Sequence, residues 1–487
     1  MAGRLILYVL IAAAMLPARG QTIPRTWDEK ALATGLLPPP VAGAKVTLVT
    51  ADYYYRIPER VMYRQYPVYA ARFEPAGYLT ELARKEPEVV FDPPKLKTED
   101  EWIAAGREVF RYPITFVPVE AMQEWRGILE RSGVRPARDG SYPQLSLVVV
   151  KKGVVMAGFL SCATCHTRIL PDGNVIEGGQ GSVPDLLLGF PPGLEVMRSF
   201  ERALFRVPWL KEDSEDRVES MSIDQVNAVK TAIPVGVVAR HGTSLFSPVQ
   251  IPDLIGVRDR RYLDHTGLMR HRGIGDMMRY AALNQGADML TDYSGFRPTY
   301  FLTGEENKLP PPEKLERYSE AQLFALAKYV YSIEPPVNPN PVNALSRRGE
   351  GVFAREGCAR CHTPPLYTSN RITPALGYTV REEDRQVDDI EPTVVGTDPT
   401  LTLRTRRATG FYKIPSLRGV WYRGPLEHEG SVATLEDWFD ARRLRDDYVP
   451  TGYKGDGVTH RAVRGHPFGL GLSQEDRAAL MAFLRTL

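Results

Sequence analysis

Apolar residues recur with a helical period in four segments of the chain. The segments are residues 101–110, 319–333, 346–353 and 473–487. In each of them the apolar side chains lie three or four positions apart, which places them on one face of an α-helix. The second and fourth segments begin with a serine, a residue that favours the N-cap position. We therefore predict four amphipathic helices, arranged as two pairs along the chain.

The first helix of each pair carries the same spacing of a glycine and an aromatic residue. Gly106 stands four positions before Phe110, and Gly349 stands four positions before Phe353. Residues four apart share one helix face, so each of the two helices presents a glycine and a phenylalanine on the same face. The pattern indicates that two equivalent helical units follow each other.

The remaining stretches predict the other elements. β-Branched residues at 145–150 and 153–157 predict a small β-hairpin. Residues 21–98 are rich in proline and tyrosine and predict an irregular N-terminal arm. The proline-rich connector at 334–341 cannot continue a helix. We therefore predict a first domain at 99–335, which contains the hairpin as an insertion, and a second domain at 336–487.

An internal repeat supports this division. Residues 251–267 and 414–430 align without a gap, and nine of the seventeen positions are identical. The shared residues include an Ile-Pro pair, two glycines and a histidine. Each copy belongs to one predicted domain, which indicates an internal duplication.

The N-terminus and the charge balance limit where the protein works. Residues 1–20 contain Arg4, then an apolar run, and then small residues of the kind that precede a signal-peptide cleavage site. This pattern predicts a signal peptide and therefore a periplasmic or secreted protein. We expect no membrane span after its removal. A net charge of +2 over 487 residues gives no electrostatic reason to expect nucleic-acid binding.

All four cysteines lie in two pentapeptides. These are Cys162-Ala-Thr-Cys165-His166 and Cys358-Ala-Arg-Cys361-His362. Two cysteine pairs could clamp a zinc ion, and each could be a redox dithiol. The histidine directly after the second cysteine favours haem c instead, because the thiols attach the haem and the imidazole ligates its iron. We therefore predict two covalently bound haem c groups, with His166 and His362 as iron ligands.

Helices on both sides of a Cys-x-x-Cys-His motif are typical of a cytochrome c domain. The predicted fold is mainly α, with two tandem cytochrome c-like haem domains related by internal duplication. The first domain carries a small β-hairpin insertion, and an irregular N-terminal arm precedes it.

These features resemble the bacterial dihaem cytochrome c peroxidase superfamily, including its methylamine-dehydrogenase-maturation and rubber-oxygenase branches. The resemblance covers about residues 100 to 487 and rests on the two attachment motifs, the repeated segments and the Gly-His-Pro-Phe-Gly-Leu-Gly-Leu-Ser stretch at 465–473. It implies two helical haem domains packed face to face. One haem would store or deliver electrons, and the other would meet peroxide or dioxygen.

The sixth iron ligand decides whether a haem is closed or can bind an oxidant. His466 stands seven residues before the last predicted helix and is our candidate for the second haem. Pro312 occupies the corresponding point of the first half and cannot ligate iron. Met481 fits core packing better than ligation. His460 is the nearest rival of His466.

The first haem has three candidate distal residues, His241, His271 and Met289, and no spacing selects one of them. The superfamily's peroxidases often place a distal histidine soon after the first motif, and residues 167–192 contain none. We therefore expect an open first haem. Glu177 and Asp185 are carboxylates that could help in acid–base chemistry, although solvated loop residues are the simpler interpretation.

Four further residues are candidates for binding the haem propionates. His265 and His428 occupy equivalent repeat positions, so we expect a shared structural role. Arg260 and Arg423 are also equivalent, and a guanidinium pairs well with a carboxylate.

These observations predict an exported haem oxidoreductase of the peroxidase type, which uses an open first haem for peroxide or dioxygen and a second haem for electron transfer. A redox protein or a small reductant would be the electron donor. Two alternatives remain at the level of sequence: an electron-transfer cytochrome without its own substrate, and a haem-dependent oxygenase of an organic substrate.

Overall fold

The computed structural model describes residues 22–188, 194–211, 213–240, 242–299, 303–305 and 307–487. The predicted signal peptide lies outside these residues. The α-helices are α1 (Glu29–Gly35), α2 (Ala51–Arg56), α3 (Tyr78–Arg84), α4 (Glu99–Arg111), α5 (Met122–Arg131), α6 (Cys162–Cys165), α7 (Leu194–Phe205), α8 (Ile223–Ala232), α9 (Ile274–Asn284), α10 (Glu320–Ser332), α11 (Ala344–Arg355), α12 (Glu382–Val387), α13 (Thr400–Leu403), α14 (Leu435–Trp438) and α15 (Gln474–Arg485). The strands are β1 (Val46–Thr47), β2 (Gln65–Tyr69), β3 (Thr115–Pro118), β4 (Ser141–Lys151), β5 (Val154–Phe159), β6 (Thr167–Ile169), β7 (Val175–Glu177), β8 (Val237–Val238), β9 (Val249–Gln250), β10 (Tyr262–Leu263), β11 (Met269–Arg270), β12 (Asp292–Tyr293), β13 (Ile372–Pro374) and β14 (Phe411–Lys413).

The four predicted amphipathic helices are present as α4, α10, α11 and α15, and side-chain caps set where they begin. Thr98, Ser319 and Asn343 form capping boxes at the first three helices, and the Ser473 side chain accepts a hydrogen bond from the Asp476 backbone. These caps satisfy backbone N–H groups that have no partner within the helix.

The helices pack as two pairs with the same contacts, α4 against α10 and α11 against α15. A Cβ atom on Gly106 would lie 1.9 Å from the carbonyl oxygen of Ala325, and one on Gly349 would lie 1.9 Å from that of Ala479. The rings of Phe110 and Tyr329 are 5.3 Å apart in the first pair. Those of Phe353 and Phe483 are also 5.3 Å apart in the second. The glycines allow close approach, and the aromatic pairs fill the space beside the crossing.

The predicted hairpin is confirmed as β4 and β5, and it is part of a larger antiparallel sheet with the strand order β2-β4-β5-β3. One face of β4 places Leu145, Leu147 and Val149 in a core with helix α5. The opposite face places Val148 in the core around α4 and α10. The sheet therefore separates two cores and covers the first helix pair.

The N-terminal arm is not irregular, contrary to the prediction. It contributes α1, α2, α3, β1 and β2, and its strand β2 pairs with β4. Trp27 is fully buried, with its ring stacked 4.5 Å from that of Tyr54. The order of the arm comes from long-range burial and strand pairing, which its local composition does not reveal.

The prediction of a mainly α chain is met only in part. Several helices are present, but six small sheets, five of them two-stranded, lie among the described residues. The described chain therefore mixes helices with short strands. No helix among these residues is long and apolar enough to cross a membrane.

Candidate functional site

The first cysteine pair lies on a short helical turn, α6. The Ser161 side chain accepts a hydrogen bond from the Thr164 backbone, and the Thr164 hydroxyl bonds the Ser161 backbone in return. This reciprocal cap fixes the turn on which Cys162 and Cys165 stand. Burial raises the pKa of the Cys162 thiol to about 11 and that of Cys165 to about 12. Neither cysteine forms a disulfide.

His166 follows this turn, and its ring is oriented by one backbone carbonyl. Its Nδ1 donates a hydrogen bond to the carbonyl oxygen of Pro252 at 3.0 Å. Burial lowers the pKa of His166 to about 4, so the ring is neutral. A bonded Nδ1–H leaves Nε2 with its lone pair, which is the tautomer that a metal ligand needs.

The second cysteine motif is built in a similar way. Gly357 adopts φ +74° before a 3-10 turn at Cys358–Arg360, and His362 follows. The His362 Nδ1 donates to the carbonyl oxygens of Tyr367 and Pro415, both at 3.2 Å. Burial lowers the pKa of His362 to about 4. Its Nε2 is likewise left available.

The two prolines that accept these hydrogen bonds occupy the same position of the internal repeat. Pro252 and Pro415 are the second residues of the two aligned segments. Sequence reasoning recognised the repeat but missed this role. The signal was present, because the Ile-Pro pair is identical in both copies.

The repeated segments also exchange backbone hydrogen bonds. The Gln250 N–H donates to the carbonyl oxygen of His428 at 2.8 Å, and the Lys413 N–H donates to that of His265 at 2.9 Å. Gln250 and Lys413 immediately precede the two copies, and the two histidines are equivalent. The two segments therefore meet in a reciprocal contact, in which each one binds the other through the same positions.

His466 lies close to His362 at the second motif, with the two ring planes inclined at 53°. The two ring centres are 6.3 Å apart. Two imidazoles that bind opposite faces of one metal ion, each through a nitrogen about 2 Å from it, have ring centres about 6 Å apart. Trp438 and Phe468 pack edge-on against His466 at 5.1 and 5.2 Å. The residues of this site thus fit a haem with two histidine ligands.

Arg443 holds the segment that carries His466. Its side chain is fully buried, and the guanidinium donates to the carbonyl oxygens of Trp438, Val463, Gly465 and His466. No sequence pattern indicates this role, because all four acceptors are backbone atoms.

The three candidate distal residues of the first haem differ in their positions and surroundings. His271 bonds the carbonyl oxygen of Arg260 through Nδ1 and the Tyr331 hydroxyl through Nε2, so both of its ring nitrogens are occupied. Met289 lies in the 3-10 turn Ala287–Leu290. His241 lies outside the described residues.

The other sequence candidates near the second site do not compete with His466. Met481 packs against the core of the second helix pair, and His460 is exposed. Pro312 begins the 3-10 turn Pro312–Lys314.

The equivalent histidines His265 and His428 have different surroundings. His265 Nε2 donates to the carbonyl oxygen of Gln250 at 2.7 Å, and burial lowers its pKa to about 3. The pKa of His428 is raised, because the nearby Glu427 outweighs the effect of burial. The expected shared role in binding a propionate stays a prediction.

The equivalent arginines have similar surroundings. Arg260 donates to the carbonyl oxygens of Asp253 and Ile255, and Arg423 donates to those of Ser416 and Arg418. Each guanidinium therefore folds back onto its own repeat segment.

A buried ionic network beside the first motif was not foreseen from the sequence. Asp264 accepts hydrogen bonds from Arg240, from Arg407 at 3.1 Å and from the Tyr280 hydroxyl at 2.9 Å. The charge of Arg240 acts on both Cys165 and His166. Arg407 comes from the second half, so the network joins the two halves next to the first motif.

The two candidate carboxylates are engaged in ion pairs. Glu177 binds Arg107, Arg111 and the Tyr329 hydroxyl. Asp185 is fully buried 3.7 Å from Lys230, and burial raises its pKa to about 6 although Lys230 opposes this shift.

The zinc interpretation has no support in the described part of the chain. No group of three or more histidine, cysteine or acidic side chains that could hold a metal ion occurs there. Within that part of the chain, the two cysteine pairs do not come together in such a group.

Comparisons with known proteins give a partial match. No family model matches the chain. A cytochrome-c peroxidase, IdrP1 of Denitromonas iodatirespirans, is 27% identical over 164 residues, which are 30% of this chain and 41% of the relative. The chain thus spans about two fifths of the length of this curated relative.

Two solved structures show distant similarity. Hydrazine synthase of Kuenenia stuttgartiensis gives 16% identity and a TM-score of 0.30, covering 61% of this chain and 89% of that one. A MauG-like protein associated with microbial copper homeostasis gives 18% identity and a TM-score of 0.22, covering 34% of this chain and 56% of that one. The partial sequence match agrees with the broad cytochrome c peroxidase superfamily that the motifs resemble.

Proposed function

We propose that this protein is an exported haem oxidoreductase of the peroxidase type with two covalently bound haem c groups. Cys162, Cys165 and His166 would hold the first haem. Cys358, Cys361 and His362 would hold the second, with His466 as its other axial ligand. A haem iron exchanges single electrons and, where one axial position is open, binds peroxide or dioxygen.

The observation that carries this proposal is the pairing of His362 and His466. Their ring centres are 6.3 Å apart at the second motif, the separation that two axial imidazoles on one iron would have. This arrangement suits a closed haem that transfers electrons. Arg443 keeps the His466 segment in place through its four backbone hydrogen bonds.

The first motif supports a different role. Among the described residues, the candidate His271 is bound at both nitrogens to other groups. We propose an open first haem, where the oxidant would be peroxide or dioxygen and electrons would come from a redox protein or a small reductant. The Pro252 carbonyl fixes the His166 ring, and Arg240 supplies a positive charge beside it.

The proposed architecture is two haem domains, at 99–335 and 336–487, that arose by duplication. The equal contacts at Gly106 and Gly349 support it, as do the equal aromatic distances in the two helix pairs. Positive φ angles at equivalent positions add further support, with 72° at Asp264 and 71° at Glu427. The sequence pattern of residues 1–20 supports export.

Absorption and electron paramagnetic resonance spectra of the purified protein test this proposal. We expect two covalent haems per chain, one low-spin and one high-spin, and carbon monoxide binding to one of them after reduction. His466→Gly should convert the low-spin haem to high-spin, whereas His460→Gly, at an exposed histidine nearby, should leave the spectrum unchanged.

Turnover with hydrogen peroxide and a reduced donor tests the peroxidase assignment. Two low-spin haems that do not bind carbon monoxide would refute the open first haem and leave a pure electron carrier. An open haem without peroxide turnover would instead point to an oxygenase.

A further inference from the structure

A small cavity lies between the two halves of the molecule, and cationic groups surround it. Its volume is about 30 Å³, which is room for about two water-sized groups. Both repeat segments contribute to its wall. The charged side chains that line it are Asp253, Arg260, Arg371, Lys413 and Arg423.

The cavity is adjacent to both candidate haem sites. Pro252 and Pro415 are part of its lining. The carbonyl oxygen of Pro252 accepts the hydrogen bond of His166, and that of Pro415 accepts the hydrogen bond of His362. A charge in this cavity is therefore separated from each predicted iron ligand by a single proline, the one whose carbonyl oxygen accepts the hydrogen bond of that histidine.

The positive charges at the cavity exceed the negative ones. Arg260 is 3.8 Å from Asp253, whereas Arg423 donates only to backbone carbonyl oxygens and its buried Nε has no partner among the described residues. The Lys413 side chain is half-buried and forms no ion pair with a described residue. Arg371 is half exposed and pairs with Glu391 at 3.6 Å.

The neighbours of Lys413 make its charge costly. Burial, together with the charge of Arg260, lowers its pKa to about 7. His265 is neutral and adds no charge. Asp253 lines the cavity beside Arg260 and the charge of Asp264 acts on Lys413, but neither Lys413 nor Arg423 forms an ion pair with a described residue. An anion in the cavity would offset the cost of placing these two positive charges there.

We propose that this cavity is an anion site, which takes a carboxylate or a small oxyanion between Lys413 and Arg423. The cavity has room for the two oxygens of such a group, and both side chains donate hydrogen bonds that suit it. Two sources share this chemistry, a free inorganic anion and a propionate of a bound haem. The second source rests on the proposed function, and the first does not.

Lys413→Met in the haem-loaded protein tests the site, because methionine keeps most of the length of the side chain and removes the charge. Lys454→Met, at an exposed lysine, is the matched control, and Lys413→Arg keeps the charge. The readouts are the melting temperature, the midpoint potentials of the haems and the response of both to inorganic phosphate at constant ionic strength.

A free anion predicts that phosphate raises the melting temperature of the wild type to a plateau, and that Lys413→Met weakens this response by about tenfold or more. A propionate predicts no phosphate response, but a lower melting temperature and a lower midpoint potential in Lys413→Met, with Lys413→Arg close to the wild type.

A Lys413→Met variant that is not destabilised overturns the proposal. If no anion is bound, Lys413→Met removes an uncompensated charge, and the variant should be at least as stable as the wild type, with no phosphate response in either protein. Covalent haem content, measured on the same samples, separates this failure from a failure of the proposed function. If the protein carries no covalent haem but its melting temperature still rises with phosphate, the anion site is supported and the proposed function is not.

Discussion

Replacing Gly349 by alanine should push apart the two helices of the second pair. Gly349 lies inside α11, where a Cβ atom would be 1.9 Å from the Ala479 carbonyl oxygen and 2.8 Å from the Phe483 Cβ. Both obstacles belong to α15, and one of them is backbone. The clash cannot be relieved by turning a side chain, so α11 and α15 must separate.

Two effects of opposite sign set the magnitude. Alanine is favoured over glycine within a helix by about 1 kcal/mol. Overpacking of a close contact costs about 1–3 kcal/mol, and a backbone clash belongs at the upper end of that range. We therefore expect Gly349→Ala to reduce the free energy of unfolding by about 2 kcal/mol.

Gly351→Ala is the matched control, because Gly351 lies in the same helix and its Cβ would meet nothing within 4 Å. This variant should gain up to about 1 kcal/mol. Urea unfolding followed by circular dichroism measures both, and a difference of about 3 kcal/mol is expected between them. Gly106→Ala should behave like Gly349→Ala, since its contacts are the same. Equal stability of the two α11 variants would refute the close crossing.

Three other predictions concern buried charges. Asp264→Asn should cost about 3–5 kcal/mol in urea unfolding, because it leaves Arg240 and Arg407 without their shared carboxylate. Burial alone raises the pKa of Asp264, but Arg240 and Arg407 outweigh it and hold the pKa well below its usual range. The stability that this carboxylate supplies is therefore complete above about pH 4 and is lost as the pH falls. Below about pH 4, the melting temperature of the wild type should decrease more steeply with pH than the melting temperature of Asp264→Asn. Arg443→Met should loosen the segment that carries His466 and increase the high-spin fraction of the second haem. Arg442→Met, at an exposed neighbouring residue, should leave that fraction unchanged. Identical absorption spectra of the two variants would exclude a positioning role for Arg443.

The sequence by itself determined the elements that local signals encode. The helices α4, α10, α11 and α15 follow from their apolar period and their caps, and the hairpin β4–β5 follows from its β-branched residues. The two Cys-x-x-Cys-His motifs and the repeat were also readable, because they depend only on residue type and spacing. The position of His466 before the last helix is also visible in the sequence; its ring centre lies 6.3 Å from that of His362, and its role as an iron ligand stays a prediction.

Only the tertiary structure decided the features that join distant parts of the chain. Strand β2 became part of the sheet by pairing with β4, which lies far along the sequence. The acceptor role of Pro252 and Pro415, the Arg240–Asp264–Arg407 network and the cationic cavity all depend on contacts between segments that are far apart in the chain. A lysine or an arginine has the same local pattern whether it is solvated or enclosed. Its surroundings, and hence its chemistry, are set when the chain packs.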